Sequence, residues 1–200
     1  MNRLLTILVS LGAAWLLFSC AERREYREML ARAEAVMSDR PDSVLMILDS
    51  LGLHEEEFDR HFRMQYLLHH ADAHNKTDSA FTADSLCKEL ADYFDSHGTA
   101  NERMLAHYLL GRAYTDKGEA PTALQTYYDA IDRADTTKAD CDYRTLKGIY
   151  GQMSRIFHQQ CLPHDEIRAL WHYIDCIRRT SNKEEYVVAK SQLIRPYYLL

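Results

Sequence analysis

The stretch His107-Tyr-Leu-Leu-Gly111-Arg-Ala-Tyr114-Thr-Asp-Lys-Gly118-Glu-Ala-Pro121-Thr-Ala123-Leu124-Gln-Thr-Tyr127-Tyr128-Asp-Ala130-Ile131 decides the fold. Apolar residues recur at spacings of three and four on both sides of a break at Gly118 to Pro121, so the segment reads as two amphipathic helices joined by a tight turn. Gly111 stands inside the first helix, where glycine costs about 1 kcal/mol relative to alanine and needs a packing reason. A helix hairpin supplies one: Gly111 and Ala123 let two antiparallel helices approach, while Tyr114 and Tyr127 fill the space between successive hairpins.

Outward from this stretch the same pattern continues. Ala169 to Ile177 aligns with Ala123 to Ile131. Its first helix runs near Tyr143 to Gln160, with Met153-Ser154 and Phe157 in the places of Leu110-Gly111 and Tyr114. In this reading Cys161 replaces the turn glycine and the turn gains three residues. A weaker copy precedes the clear one. Tyr66 to Ala71 aligns with Tyr108 to Ala113, Asp84-Ser85-Leu86 opens the second helix, and His69 and Asp72 stand where Gly and Tyr belong. Ahead of it, Glu25 to Ser38 and Asp42 to Leu51 form another helix pair, with Asp42 and Ser43 as polar capping side chains. Lys183 to Ile194 reads as the first helix of a further, incomplete repeat that reaches Pro196.

Composition agrees with an all-helical chain. The 200 residues include only 7 Gly and 4 Pro, and 46% are apolar. The formal charge is −6 with no Lys/Arg run, which argues against nucleic acid as a partner, since that affinity rests on phosphate neutralisation. No Gly-x-Ser-x-Gly, phosphate-cradling glycine loop or His-Glu-x-x-His is present, and the chain is expected not to be an enzyme. Glu55-Glu56-Glu57 reads as a solvated run. His70 and His74, one turn apart, and His158-x-x-Cys161-x-x-His164 are the candidate metal ligands. Both sets lack a second ligand pair, so neither a metal nor any other cofactor is expected. Cys87 and Cys176 read as buried hydrophobes, with bridges Cys161–Cys176 and Cys141–Cys161 left open.

The N-terminus carries an address. Met1-Asn2-Arg3 is a short positive start, and Leu4 to Phe18 is apolar apart from Thr6, Ser10 and Gly12. Fifteen residues suit a signal-peptide core better than a span of about 20. Leu17-Phe18-Ser19-Cys20 resembles a lipobox, which implies cleavage after residue 19 and lipidation of Cys20, several acyl chains giving stable anchoring. Removing residues 1–19 takes away one Arg and no acid, so the mature charge is −7.

Leu110-Gly111, Tyr114, Gly118, Ala123, Tyr127 and Ala130 together resemble a tetratricopeptide repeat at seven positions. With Pro41-Asp42-Ser43 and the leucines after it, shortly behind the lipobox, the chain is similar to repeat lipoproteins and repeat-containing sensor regulators of the Bacteroidetes. The resemblance implies an α-solenoid of about four antiparallel helix hairpins. It divides the chain into a signal peptide at 1–19, a helix pair at 20–56, and repeats at 57–98, 101–135, 142–180 and, incomplete, 183–200. It also implies a peptide groove lined by Tyr66, His70, Ala73 and His74, by Tyr108, Arg112, Thr115 and Asp116, and by Gly151, Arg155, His158 and Gln159.

The function so implied is a scaffold that binds a protein or peptide, held at the cell envelope by lipidated Cys20. An outer-membrane, periplasm-facing position is expected, because the residues after Cys20 lack a strongly acidic cluster. The alternatives are the sensory repeat region of a signalling regulator, or a metal-binding or enzymatic lipoprotein.

Overall fold

The structure is a computed structural model and describes residues 24–77, 84–180 and 183–200. The expected signal segment and Cys20 lie outside these residues. Among the described residues the chain is all-α, with no strand and no helix long and apolar enough to cross a membrane. It forms two compact units, Met1–Thr77 and Asp78–Leu200. The division falls inside the segment that the sequence pattern reads as one repeat, 57–98.

The first unit holds α1 (24–36), α2 (Pro41–Gly52), a short 3-10 turn (Glu55–Glu57) and α3 (Arg60–Lys76). Tyr26, Leu30, Ala33 and Met37 recur at helical spacing on and just after α1. They are buried in one core with Val44, Leu48 and Leu51 of α2 and Phe62, Tyr66 and Ala73 of α3. The helix start at residue 41 works differently from the expected side-chain cap. Arg40 is the N-cap, no side chain caps the helix, and Pro41 supplies a pre-set φ at a position that needs no N–H. In the glutamate run, Glu55 pairs with Arg63 at 2.6 Å, and Glu57 accepts from the Tyr26 hydroxyl at 2.9 Å.

The second unit holds α4 (Asp84–His97), α5 (Ala100–Asp116), α6 (Ala120–Arg133), α7 (Tyr143–Gln159), α8 (Pro163–Arg179), α9 (Lys183–Ser191) and α10 (Ile194–Tyr198). A capping box starts α5: Thr99 accepts from the Glu102 N–H, and the Glu102 carboxylate accepts from the Thr99 N–H. Asp142 caps α7 through the N–H groups of Arg144 and Thr145.

The helices pack as two hairpins, α5 with α6 and α7 with α8; α4 lies against α5, and α9 and α10 against α8. In the first hairpin the small residues act as the pattern implies. A methyl group at Gly111 would overlap the ring of Tyr127, which is fully buried and shares its hydroxyl with Thr115 Oγ1 at 2.8 Å. Tyr127 therefore fills the inside of its own hairpin rather than the space between hairpins, whereas Tyr114 does face outward, under Lys88 of α4.

Both hairpins turn by the same device. Gly118 has φ +77°, and the next N–H, of Glu119, reaches back to the Tyr114 carbonyl at 2.9 Å. Cys161 has φ +56°, and the Leu162 N–H reaches the Phe157 carbonyl at 2.9 Å. This is a left-handed C-terminal cap, glycine in one copy and cysteine in the other.

The expected helix from Lys183 to Ile194 stops at Ser191. Pro196 has no N–H to give the Gln192 carbonyl, and its ring would crowd that carbonyl in a continuous helix. The chain restarts as α10, where the proline sits in the first turn.

Candidate functional site

Equal turns fix how the hairpins correspond. Gly118 and Cys161 differ by 43 positions, and so do the turn pairs Glu119/Leu162 and Tyr114/Phe157. The bond from the Ala123 N–H to Glu119 O at 2.9 Å repeats as Glu166 N–H to Leu162 O at 3.0 Å, again 43 apart. The turn before α8 therefore gains no residues, and the expected pairing of Ala169 with Ala123 is corrected: Glu166 takes the place of Ala123, and Leu170 that of Tyr127. Gly111 corresponds to Ser154, Thr115 to His158, and Tyr108 to Gly151.

These exchanges open a site. A cleft of about 310 Å³ is lined by Ser154, Arg155 and His158 of α7, Glu166 and Leu170 of α8, Ser191 and Gln192 after them, and Arg195 of α10. In the first hairpin the Tyr127 ring lies on Gly111, and the leucine at the equivalent place, Leu170, is shorter and carries no hydroxyl.

A buried couple organises the cleft. Glu166 is only 7% exposed, so its carboxylate requires a partner. The His158 ring supplies it: Nδ1–H donates to Glu166 Oε1 at 2.8 Å. The Arg195 guanidinium approaches the other ring nitrogen, Nε2. Arg155 is exposed on the adjacent turn and makes no ion pair among the described residues.

The residues that the resemblance put in a groove divide into three groups. Arg155 and His158 line the cleft, with Gln159 exposed next to them. Tyr66, Ala73 and Tyr108 are corrected to packing residues. They are 6%, 0% and 8% exposed, because Tyr66 closes on Gly52 of α2 and the Tyr108 hydroxyl on Gly148 of α7. Arg112 is occupied, donating to Gln152 Oε1 at 2.8 Å and pairing with Asp116 at 3.4 Å, while Thr115 is held by Tyr127 and the Gly111 carbonyl. Gly151 packs on the Tyr173 ring.

In the first unit, His70 and His74 lie edge to face with ring centres 4.6 Å apart, and His70 Nε2 is 3.3 Å from Asp49 Oδ1. Burial, then the neighbouring His70, pulls the His74 pKa down. Among the described residues no three His, Cys, Asp or Glu side chains form a metal-holding group.

The described cysteines carry no bridge. Cys87, Cys141 and Cys176 are buried free thiols, with burial pushing Cys87 and Cys176 up to about 12, and Cys161 is exposed at its turn. Neither pairing left open by the sequence forms, since Cys161 faces solvent.

Sequence reasoning missed Glu166, Leu170 and Arg195. The signal was present as a glutamate in the alanine place of the repeat, eight residues after a histidine, and was hidden by the assumed longer turn. No family model, curated protein or solved structure matches the chain.

Proposed function

We propose that the chain is a lipid-anchored scaffold of tetratricopeptide-like repeats that binds a protein or peptide at the cell envelope. The observation that carries this reading is the open cleft on the α7–α8 hairpin. It lies where the resemblance puts a ligand-facing helix, and its walls combine cationic, hydrogen-bonding and apolar groups. The seven matching positions from Leu110 to Ala130 and the left-handed cap shared by Gly118 and Cys161 support the repeat architecture. Lipidation at Cys20 would confine such a surface to the membrane.

Two measurements test the two halves of this reading. Cells expressing the chain are expected to incorporate labelled palmitate and to retain the protein in the membrane pellet, and Cys20→Ser is expected to abolish both. A photo-crosslinking amino acid placed at Arg155 is expected to give a discrete adduct in intact cells, and the same group at exposed Gln125 on α6 none. Equal adducts from both positions, or none at Arg155, would overturn the binding assignment.

A further inference from the structure

Large apolar side chains are not spread evenly over the second unit. Ile194, Tyr197, Tyr198, Leu199 and Leu200 are 50–91% exposed, so five of the seven residues from 194 to 200 show water a large apolar side chain. Trp171 of α8, 47% exposed, adjoins them, and its Nε1–H donates to the Tyr197 hydroxyl at 3.2 Å. Single exposed apolar residues are ordinary, but six that adjoin form a patch with a use.

The patch is equipped to leave water. The Trp171 indole N–H has its acceptor within the patch. The N–H groups of Tyr197 and Leu199 are given to the Leu193 and Pro196 carbonyls at 3.2 and 3.3 Å, and Pro196 has none to give. Donors paired beforehand lower the desolvation cost of covering the segment. Two tyrosine hydroxyls and one indole give apolar bodies polar tips, the mix that suits the boundary between lipid headgroups and acyl chains.

Charge favours the same boundary. Residues 163–200 carry six Lys/Arg against five Asp/Glu, a net of +1, whereas residues 1–162 carry 18 against 25, a net of −7. The acids flanking Trp171 on α8 are engaged, Asp165 with Arg168 at 3.1 Å and Asp175 with Arg179 at 3.4 Å. No acid occurs from Tyr186 to Leu200, where Lys190 and Arg195 are exposed. An anionic lipid surface, which the overall charge of the chain would repel, is met here by a net positive segment.

We propose that Trp171 and residues 194–200 dock on the headgroup–acyl boundary of an anionic bilayer. This inference rests on the lipid-anchored reading, because a chain held at the membrane meets that surface at high effective concentration. The contact is non-covalent and separate from Cys20.

Trp171 makes the test local, since Trp15 is the other tryptophan of the chain and lies in the expected signal segment. The full chain with Trp15→Phe is incorporated into vesicles of phosphatidylcholine and phosphatidylglycerol whose acyl chains are plain or brominated. Flotation with the vesicles is scored beside Trp171 fluorescence. Brominated lipid is expected to quench Trp171 by at least half, and by less when phosphatidylglycerol is left out. Moving the reporter to the equivalent place of the preceding hairpin, with Tyr128→Trp and Trp171→Tyr, is expected to abolish quenching, although Tyr128 is also 47% exposed. Tyr198→Ser with Leu199→Ser is expected to abolish it too and to keep the helical circular dichroism, because both side chains face water in the free protein. Equal quenching at positions 128 and 171, or quenching that survives the serine pair, would overturn the proposal. A Trp171 blue shift that follows protein concentration without lipid would overturn it in favour of a second copy. Unquenched Trp171 in a chain that floats and takes up palmitate in cells would overturn the docking contact and leave the anchor standing. Quenching without palmitate uptake would support the contact and overturn the anchor, and loss of flotation, quenching and palmitate uptake together would overturn both.

Discussion

The α5–α6 and α7–α8 hairpins share a 17-residue first helix with a capped start and a left-handed turn, yet one is closed and the other open. In the first, Gly111, Thr115, Ala123 and Tyr127 make a filled interior in which the tyrosine ring lies on the glycine and its hydroxyl is satisfied by the threonine. In the second, Ser154, His158, Glu166 and Leu170 occupy the same places, and a histidine–glutamate bond replaces the ring as the internal connection. The turn geometry is kept from one hairpin to the next, and the difference lies in the few side chains that face the interior.

The largest expected effect comes from emptying the closed hairpin. Tyr127→Ala is expected to cost about 3–5 kcal/mol in urea unfolding, as for a fully buried aromatic ring. Leu170→Ala is expected to cost nearer ~2 kcal/mol, since its side chain already borders a cleft. Equal losses at both positions would contradict the contrast between filled and open interiors.

An acid titration separates the hairpins by a smaller margin. Asp95 of α4 holds the first hairpin by accepting from Arg133 of α6 and from His107 of α5. The Arg133 hydrogen bonds lead in lowering its pKa, from 3.8 to about 2. Because the folded value is depressed, this clamp contributes fully above the unfolded pKa and is lost as pH falls through about 2. The carboxylate is about one-third exposed, so solvent screening limits the contribution to the order of 1 kcal/mol. The equivalent places in the second hairpin, Tyr150 and Cys176, cannot form such a clamp. Amide exchange is therefore expected to rise in α6 before α8 between pH 4 and pH 2, and Asp95→Asn should remove that order.

The smallest effect concerns the turns. Gly118 adopts its positive φ without strain, whereas Cys161 adopts the same region with a side chain. Gly118→Ala is expected to destabilise by about 1 kcal/mol and Cys161→Gly to stabilise by roughly 0.5–1 kcal/mol, read as opposite shifts in Tm. A shift of the same sign in both would mean the caps are not equivalent.

The first hairpin was legible in the sequence because its small and aromatic residues each have a steric job that few other residues can do. The second was legible as helices but not in register. Ala169 and Tyr173 imitate Ala123 and Tyr127 three residues late, and three residues are nearly one helical turn, so the buried face keeps its pattern when the alignment slips. That slip hid Glu166 behind an innocuous alanine match. The kink before α10 was foreshadowed by Pro196, while the burial of Tyr66 and Tyr108 depends on neighbouring helices that no local pattern describes.

Cys161 has one further consequence, which is practical. It is the exposed thiol among the four described cysteines, on the turn that leads from His158 to Glu166. A maleimide dye added to the folded chain should thus attach at the α7–α8 turn in preference to the three buried positions. Ligand entry could then be followed as a change in fluorescence without engineering a reporter into the protein.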